Sequence, residues 1–275
     1  MQALTDWPLA ARRCVTGVFT DIDDTLTTDG AITPEALAAL GDLRSAGFTV
    51  IAITGRPVGW STPFARTWPV DAIVAENGAV LLNFQHQIGL TSTSLLPEVL
   101  SKTYLDDVAA RSANRARLAR AAQRVLHSVP GAALAQDSSG RETDIAIDHS
   151  EFAHLGPAQI DAVVRVLHSE GLHATVSSIH INGWLGKHNK LTGAHWAVKT
   201  LLGRDLALER DCWAFVGDST NDQLLFEAFD NSAGVANVRR FEAQLAEANR
   251  LPRYVTNGER GAGFAEVVAA LLAAR

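Results

Sequence analysis

Strand signals alternate with helix signals over the first eighty residues, and this alternation limits the fold more than any other feature of the chain. Apolar, β-branched runs at Val15–Thr20, Phe48–Ile53 and Ala72–Ala75 are typical of buried strands. Between the first two lies Pro34–Ala46, a helical segment that begins after Thr33, a potential N-cap. Strands separated by helices predict a parallel, doubly wound α/β sheet, and the same alternation resumes in the last third of the chain.

The middle of the chain has a different pattern. A long Ala- and Arg-rich segment, Leu95–Val129, predicts a helix that could break near Asn114, and Gly156–Glu170 predicts a second helix. Short strand candidates accompany these helices, at Ala132–Ala135, Thr143–Ile147, His173–Ser177 and Ile179–Asn182. Two helices with paired strands form an α+β pattern. We therefore expect an α+β insertion at 84–186 within a core made of 1–83 and 187–275.

Composition and charge exclude several classes of partner. The chain has 275 residues, 47% of them hydrophobic, and a formal net charge of −6, which leaves no basic footprint for nucleic acid. We find no apolar run of the roughly 20 residues that a membrane span needs, and no secretory signal. The two cysteines, Cys14 and Cys212, are too few for a disulfide framework. We expect a cytoplasmic protein in which these thiols lie close together without bonding, and the oligomeric state stays open.

Two acids stand at the end of the first predicted strand. Asp21 and Asp23 follow Val15–Thr20 directly, and side chains alternate along a strand, so both carboxylates should project the same way. The carboxyl ends of strands are the ligand-binding edge of an open α/β sheet. Adjacent carboxylates repel each other unless a cation or a shared proton lies between them. The pair therefore predicts a metal site or an acid/base pair.

Three further elements place polar groups at strand ends or beside them. Thr54 ends the second strand, and Lys190 stands near the start of a helix just after the predicted insertion. The segment Gly217–Asp222, which contains Asp218, ends a later strand and opens a helix. Acids, an amide, a lysine and a threonine at one sheet edge suit an oxygen-ligated cation and a phosphoryl group.

These residues give the chain a resemblance to the haloacid dehalogenase superfamily. Its four motifs occur in order, as Asp21-x-Asp23-x-Thr25, Thr54, Lys190 and Gly217-Asp218-Ser219-Thr220-Asn221-Asp222. The inserted region resembles the larger cap of the phosphatase subclass IIB. The resemblance implies a Rossmann-like core with a central parallel sheet and an inserted α+β cap domain. Many relatives carry Gly where this chain has Asp24, which we expect to face away from the site and to form a turn or a salt bridge.

The resemblance also implies the catalytic roles. Asp21 would attack phosphorus as the nucleophile and form an aspartyl-phosphate, while Asp23 would protonate the leaving oxygen and later deprotonate water. Lys190 would offset the charge of the phosphoryl group, and Thr54 would bind its oxygens. The chain also contains Lys187, but Asn189-Lys190-Leu191-Thr192-Gly193-Ala194 fits the family pattern better.

A metal site is implied as well. Mg²⁺ would be held by the Asp21 carboxylate, the Asp23 backbone carbonyl and Asp218, with Asn221 and Asp222 binding the ion directly or supporting its ligands. The candidate substrate-binding residues are Thr54, Gly55, Arg56, Lys190, Arg141, His180 and Asn182. A structural ion pair is the alternative for Arg56, and a surface or cap-core position is the alternative for the last three of these residues.

The resulting prediction is a Mg²⁺-dependent phosphatase acting on a phosphate monoester of a sugar or related small metabolite. The sugar preference rests on the resemblance to sucrose-phosphate, trehalose-phosphate and mannosyl-phosphoglycerate phosphatases. Two alternatives stay open: a phosphomutase, which shares the aspartyl-phosphate, and a non-catalytic phosphometabolite-binding protein. A dehalogenase is disfavoured because its chemistry requires neither Asp23 nor a metal ion.

Overall fold

A computed structural model describes residues 1–85 and 99–275 of the chain. The strands of these residues are β1 (Gln2–Ala3), β2 (Gly17–Thr20), β3 (Thr27–Thr28), β4 (Ala31–Ile32), β5 (Thr49–Ile53), β6 (Ala72–Ala75), β7 (Val80–Gln85), β8 (Val99–Tyr104), β9 (Ala133–Leu134), β10 (Asp144–Asp148), β11 (His173–Val176), β12 (His180–Trp184), β13 (Trp213–Gly217), β14 (Ser232–Gly234) and β15 (Tyr254–Val255). The helices are α1 (Leu9–Cys14), α2 (Pro34–Ser45), α3 (Val58–Thr67), α4 (Val108–Ser128), α5 (Pro157–Ser169), α6 (Lys190–Leu202), α7 (Gln223–Ala228), α8 (Glu242–Glu247) and α9 (Arg260–Leu272).

The larger sheet has the strand order β1-β15-β14-β13-β2-β5-β6-β7-β8 within the described residues. Adjacent strands of this sheet are parallel except in the pairs β6–β7 and β7–β8, which are antiparallel. Helices α2, α3 and α9 pack on one face through residues such as Leu40 and Phe264, and α6, α7 and α8 pack on the other face through Val198 and Phe226. Helices on both faces of a mostly parallel sheet confirm the predicted α/β class.

A second, antiparallel sheet of order β11-β12-β10-β9 is covered by α4 and α5. Its core joins Leu118 and Val125 of α4 to Val163 of α5 and to Ile147 and Ile181 of the strands. We call this unit, residues 108–184, the cap, and the rest of the described chain the core. The two helices and the paired strands have the α+β character predicted for the insertion.

One predicted element of the insertion is wrong. Part of the expected helix Leu95–Val129 is the strand β8, which pairs antiparallel with β7 at the edge of the larger sheet. The helix begins only at Val108 and continues to Ser128 without the expected break near Asn114. Residues 95–98 of that prediction lie outside the described residues. The ladder with β7 satisfies the backbone of Val99–Tyr104 and outweighs its weak helical pattern. The division at 84 and 186 remains a proposal, and β8 would place the start of the cap later.

The strand register brings the predicted motifs to one edge. Thr20 at the end of β2 lies opposite Ala52 of β5 and Val216 of β13, so the segments that follow these three strands leave the sheet side by side. Cys14 and Cys212 are free thiols, as predicted. Among the described residues, the model contains no helix with both the length and the apolarity that a membrane crossing requires.

Candidate active site

Asp21 leaves the sheet between β5 and β13. Its backbone N–H donates to the carbonyl of Val216 at 2.8 Å, which continues the ladder of β2 by one residue and fixes the position of the side chain. The residue is only 4% exposed. Burial, followed by repulsion from Asp222, raises the pKa of Asp21 to about 7, although Lys190 acts in the opposite direction. A carboxylate with so high a pKa needs cationic groups beside it to stay fully ionised at neutral pH.

Lys190 supplies one such neighbour from the first turn of α6. Asn189 caps this helix by accepting from the N–H of Thr192, while the Thr192 hydroxyl accepts from the N–H of Asn189. The buried Lys190 Nζ donates to Asp21 Oδ1 and to Asp222 Oδ1, both at 2.7 Å. Burial alone would lower the pKa of Lys190, but the two carboxylates outweigh it and raise that pKa.

Three carboxylates converge beside this lysine. Asp21, Asp218 and Asp222 each offer an oxygen, and these atoms lie within 4.8 Å of one another. Asp218 Oδ2 accepts from Asn237 Nδ2 at 3.2 Å, whereas its Oδ1 is buried and has no hydrogen-bond partner among the described residues. Burial and the charges of Asp21 and Asp222 raise the pKa of Asp218 well above its usual value. A buried oxygen without a donor, among converging carboxylates, fits a hard divalent cation.

The remaining residues of the last motif support this cluster. Asp222 Oδ2 accepts from the backbone N–H groups of Asp218 and Ser219 at 3.0 and 3.3 Å, so the carboxylate holds both Lys190 and the turn that carries Asp218. Asn221 Oδ1 accepts from the Ser219 hydroxyl at 2.9 Å. In this arrangement Asn221 and Asp222 shape the turn, and Asp222 also contributes to the acid cluster.

Asp23 lies on the turn after Asp21 and has a different environment. Arg56 Nε donates to both of its carboxylate oxygens, at 2.9 and 3.0 Å. Burial raises the pKa of Asp23, and Arg56 offsets only part of that effect. A raised pKa favours the protonated carboxyl that a general acid must carry.

Thr54 and Gly55 form the turn after β5. Thr54 is fully buried, and its hydroxyl oxygen accepts from the N–H of Arg56 at 2.9 Å. A Cβ at Gly55 would come within 3.1 Å of Asn182 Oδ1, so the glycine permits close approach of the cap. The Gly55 carbonyl accepts from Arg141 Nη1 at 2.9 Å and from Asn182 Nδ2 at 3.3 Å.

Of the three predicted cap residues, His180 and Asn182 are buried, and so is the side chain of Arg141. Within the cap, Arg141 pairs with Asp144 at 2.9 Å, and Asn182 donates to Asp144 at 3.2 Å. Because both side chains also donate to the Gly55 carbonyl, they join the cap to the turn after β5. His180 lies 2.9 Å from Glu151 through its Nε2. Their hydrogen bonds match the cap-core alternative to direct substrate binding.

A cavity of about 520 Å³ opens beside Asp23 and Asp218, between the core and the cap. Its other walls come from both units: Asp24, Thr27, Asp29, Gly30, Arg56, Asn237, Arg240, Phe241 and Arg260 of the core, and Ser150, Glu151, Phe152, Ser178 and Ile179 of the cap. Arg141, His180 and Asn182 are not among its walls. Sequence reasoning missed Asn237, Glu151 and Phe152, because no local motif marks them and only the tertiary fold brings them to the site.

Comparisons with known proteins agree with this architecture. The family model described as haloacid dehalogenase-like hydrolase matches residues 18–119. No curated protein sequence matches the chain.

Solved structures show the same fold at low sequence identity. A Thermoplasma acidophilum protein aligns with 16% identity and a TM-score of 0.67, covering 94% of this chain and 98% of its own. The Synechocystis sucrose-phosphatase, solved with sucrose and phosphate, aligns with 17% identity and a TM-score of 0.62 over 93% and 97% of the two chains. A haloacid dehalogenase-like hydrolase from Bacteroides thetaiotaomicron aligns with 15% identity and a TM-score of 0.62 over 93% and 98%. The family match over residues 18–119 agrees with the resemblance to the haloacid dehalogenase superfamily that the four motifs predicted, and the solved structures share the fold.

Proposed function

We propose that this haloacid dehalogenase-like hydrolase is a divalent-metal-dependent phosphatase that acts on phosphate monoesters. The observation that carries the proposal is the buried Lys190, which bonds Asp21 and Asp222 beside the unpartnered Asp218 Oδ1. An anionic nucleophile approaching a phosphate dianion meets strong repulsion. One pair of like charges 4 Å apart costs about 4 kcal/mol at an effective dielectric of 20. Lys190 supplies one positive charge against that cost, and a cation bound among Asp21, Asp218 and Asp222 would supply the rest.

The residues divide the reaction into two steps. A carboxylate oxygen of Asp21 bonds to phosphorus as the ester P–O bond breaks, and Asp23 gives its proton to the departing oxygen. In the second step Asp23 takes a proton from water, the water oxygen bonds to phosphorus, and the bond to Asp21 breaks. Lys190 stays charged throughout and stabilises the phosphoryl oxygens, while Thr54 and nearby N–H groups orient them.

A cation would be held by Asp21, Asp218 and the backbone carbonyl of Asp23, with Asn221 and Asp222 supporting these ligands. When bound, Mg²⁺ would neutralise charge that develops on the phosphoryl group. The unpartnered Asp218 Oδ1 supports this assignment, and oxygen ligands suit Mg²⁺.

Two observations support a sugar or a related small metabolite as the substrate class. A space of about 520 Å³ with polar walls suits a phosphorylated sugar or related small metabolite. The sucrose-phosphatase with the same fold was solved with sucrose and phosphate. We infer a reducing, cytoplasmic location from the free thiols of Cys14 and Cys212.

The test is phosphate release from a panel of sugar phosphates and other small phosphate monoesters, with and without Mg²⁺. We expect Asp21→Asn to lower kcat by at least about a thousandfold, because the amide cannot form the phosphoryl bond. Glu35→Gln on the surface of α2 is the matched control and should keep wild-type rates. A wild type that releases no phosphate from any ester would favour a binding protein, and an isomerised sugar phosphate as product would favour a phosphomutase.

A further inference from the structure

Arg56 is the centre of an ion cluster that joins the core to the cap. Its guanidinium is buried, and Nε binds both oxygens of Asp23. Nη2 donates to Glu151 Oε1 at 2.8 Å, and Nη1 donates to Asp137 Oδ2 at 3.2 Å. The Trp60 ring lies 5.0 Å from the guanidinium carbon. One arginine therefore contacts the candidate proton donor on one side and two cap carboxylates on the other.

The cap holds Glu151 independently of Arg56. The carboxylate of Asp148 accepts four backbone N–H bonds, at 2.9–3.1 Å, from Ser150, Glu151, Phe152 and Ala153. His180 lies 2.9 Å from Glu151 Oε2. The loop and the side chain of Glu151 are thus fixed by the cap and presented to Arg56 as a preformed acceptor.

Arg56 has little capacity left for a substrate. Its planar fork is directed at three carboxylates, which leaves its N–H groups engaged within the protein. In this arrangement the hydrogen bonds of Arg56 go to protein carboxylates, although its side chain also lines the cavity. Its geometry favours the other alternative, an ion pair, with a consequence for the carboxyl that it holds.

We propose that Glu151 and Asp137 are positioning residues that act through Arg56 to orient the Asp23 carboxyl towards the leaving oxygen. Resting on the phosphatase function proposed above, this inference adds that the cap sets the proton donor. When the cap lies against the core, the guanidinium is clamped and the Asp23 carboxyl has one orientation. Without the cap carboxylates, Arg56 and Asp23 can rotate together, and the Asp23 carboxyl is no longer held towards the leaving oxygen.

Leaving-group dependence separates this role from a structural one. p-Nitrophenyl phosphate releases a stabilised anion that needs little protonation, whereas phenyl phosphate, of nearly the same size, releases a more basic oxygen that does. The parameter to compare is kcat/KM, because it reports the steps up to transfer of the phosphoryl group and not the later hydrolysis. If the Asp23 carboxyl is no longer oriented towards the leaving oxygen, kcat/KM should therefore fall selectively for phenyl phosphate.

The decisive variant is Glu151→Gln, which preserves size and an acceptor oxygen but removes the charge. We expect kcat/KM to fall by about 10- to 100-fold for phenyl phosphate and by less than about threefold for p-nitrophenyl phosphate. Glu170→Gln, at the C-terminal end of α5, is the matched control and should change neither value. Asp137→Asn is the second variant and should show the same selectivity if Glu151→Gln does not fold.

Equal losses on both substrates, or no loss on either, in the folded variants would overturn the inference and leave the phosphatase function intact. Failure of the wild type to release phosphate from both esters would instead overturn the proposed function and, with it, this inference. The first failure appears only in the variants, and the second appears in the unmodified protein.

Discussion

Asp24 lies in the turn after β2, three residues beyond Asp21, and its backbone has a conformation that is uncommon for aspartate. Its φ is +55°, in the left-handed region that glycine adopts without strain. Its carboxylate pairs with Arg260 Nε at 3.0 Å, which matches the predicted salt bridge, and its carbonyl accepts from Asn237 Nδ2 at 3.0 Å. The residue nevertheless lines the cavity, so the expectation that it faces away from the site is wrong. The Asn237 amide also holds Asp218, so the strained turn helps to align the acid cluster.

Substitution at this position should separate backbone strain from ion pairing. We expect Asp24→Gly to be more stable than Asp24→Ala by about 1 kcal/mol, because both lose the partner of Arg260 but only glycine relieves the positive φ. The free energy of unfolding in urea measures the difference. An alanine variant as stable as the glycine variant would show that the turn stores no strain.

At the scale of elements, α6 carries Lys190 to the site by packing against the turn Glu76–Gly78. Two glycines permit the contact: a Cβ on Gly193 would lie 2.5 Å from Gly78 Cα, and a Cβ on Gly78 would lie 2.3 Å from the carbonyl oxygen of Asn189. Since backbone lies on both sides, neither clash can be relieved by moving a side chain. The position of Lys190 therefore depends on the absence of two side chains.

A pair of helical glycines tests this dependence. We expect Gly193→Ala to destabilise the fold by about 2 kcal/mol through overpacking, and to lower kcat as α6 shifts Lys190 away from Asp21. Within residues 1–85 and 99–275, no atom lies within 4 Å of the Cβ position of Gly41 in α2, so Gly41→Ala should stabilise the fold by about 0.5–1 kcal/mol and leave kcat unchanged. Thermal unfolding and phosphate release measure both effects. Wild-type behaviour of Gly193→Ala would show that the helix can move without consequence.

At the scale of the whole molecule, the acid cluster lowers the free energy of unfolding although it provides the groups that the reaction needs. Burial and mutual repulsion raise the pKa values of Asp21 and Asp218, so the native state holds protons that the unfolded chain has already lost. Stability must then fall as pH rises through the interval between the unfolded and native pKa values. For Asp21 this interval runs from its ordinary 3.8 to about 7. A bound cation would replace those protons and reverse the loss.

The linkage predicts how the melting temperature responds to pH and Mg²⁺. In EDTA we expect Tm to fall from pH 5 to pH 7, since each extra proton on the native state is worth about 1.4 kcal/mol per pH unit. Mg²⁺ should raise Tm at pH 7 more than at pH 5. Asp218→Asn should raise the Tm of the metal-free protein at pH 7 and lose most of the response to Mg²⁺. Scanning calorimetry measures these changes. A Tm that rises with pH in EDTA and does not change when Mg²⁺ is added would contradict the assignment of Asp21 and Asp218 to a cation site.

Much of the fold and the candidate core site was predictable because both depend on local patterns. Alternating strands and helices specify a parallel sheet, and parallel strands bring their carboxyl ends to one edge, so Asp21, Thr54 and Asp218 needed no long-range information to be grouped. The strand β8 was missed, because its short polar and apolar residues carry no strong period and its pairing with β7 decided its conformation.

The sequence by itself thus determined the α/β class, the resemblance to the haloacid dehalogenase superfamily, which singled out Lys190, and the grouping of Asp21, Thr54 and Asp218 at strand ends. Only the tertiary structure decided how the cap meets that edge. Arg56 contacts Asp137 and Glu151 across separations of 81 and 95 residues, and no local pattern encodes such a contact. The physical reason is that strand ends are aligned by backbone hydrogen bonds of fixed geometry, whereas the partner of a buried charge is selected by the packing of the whole chain.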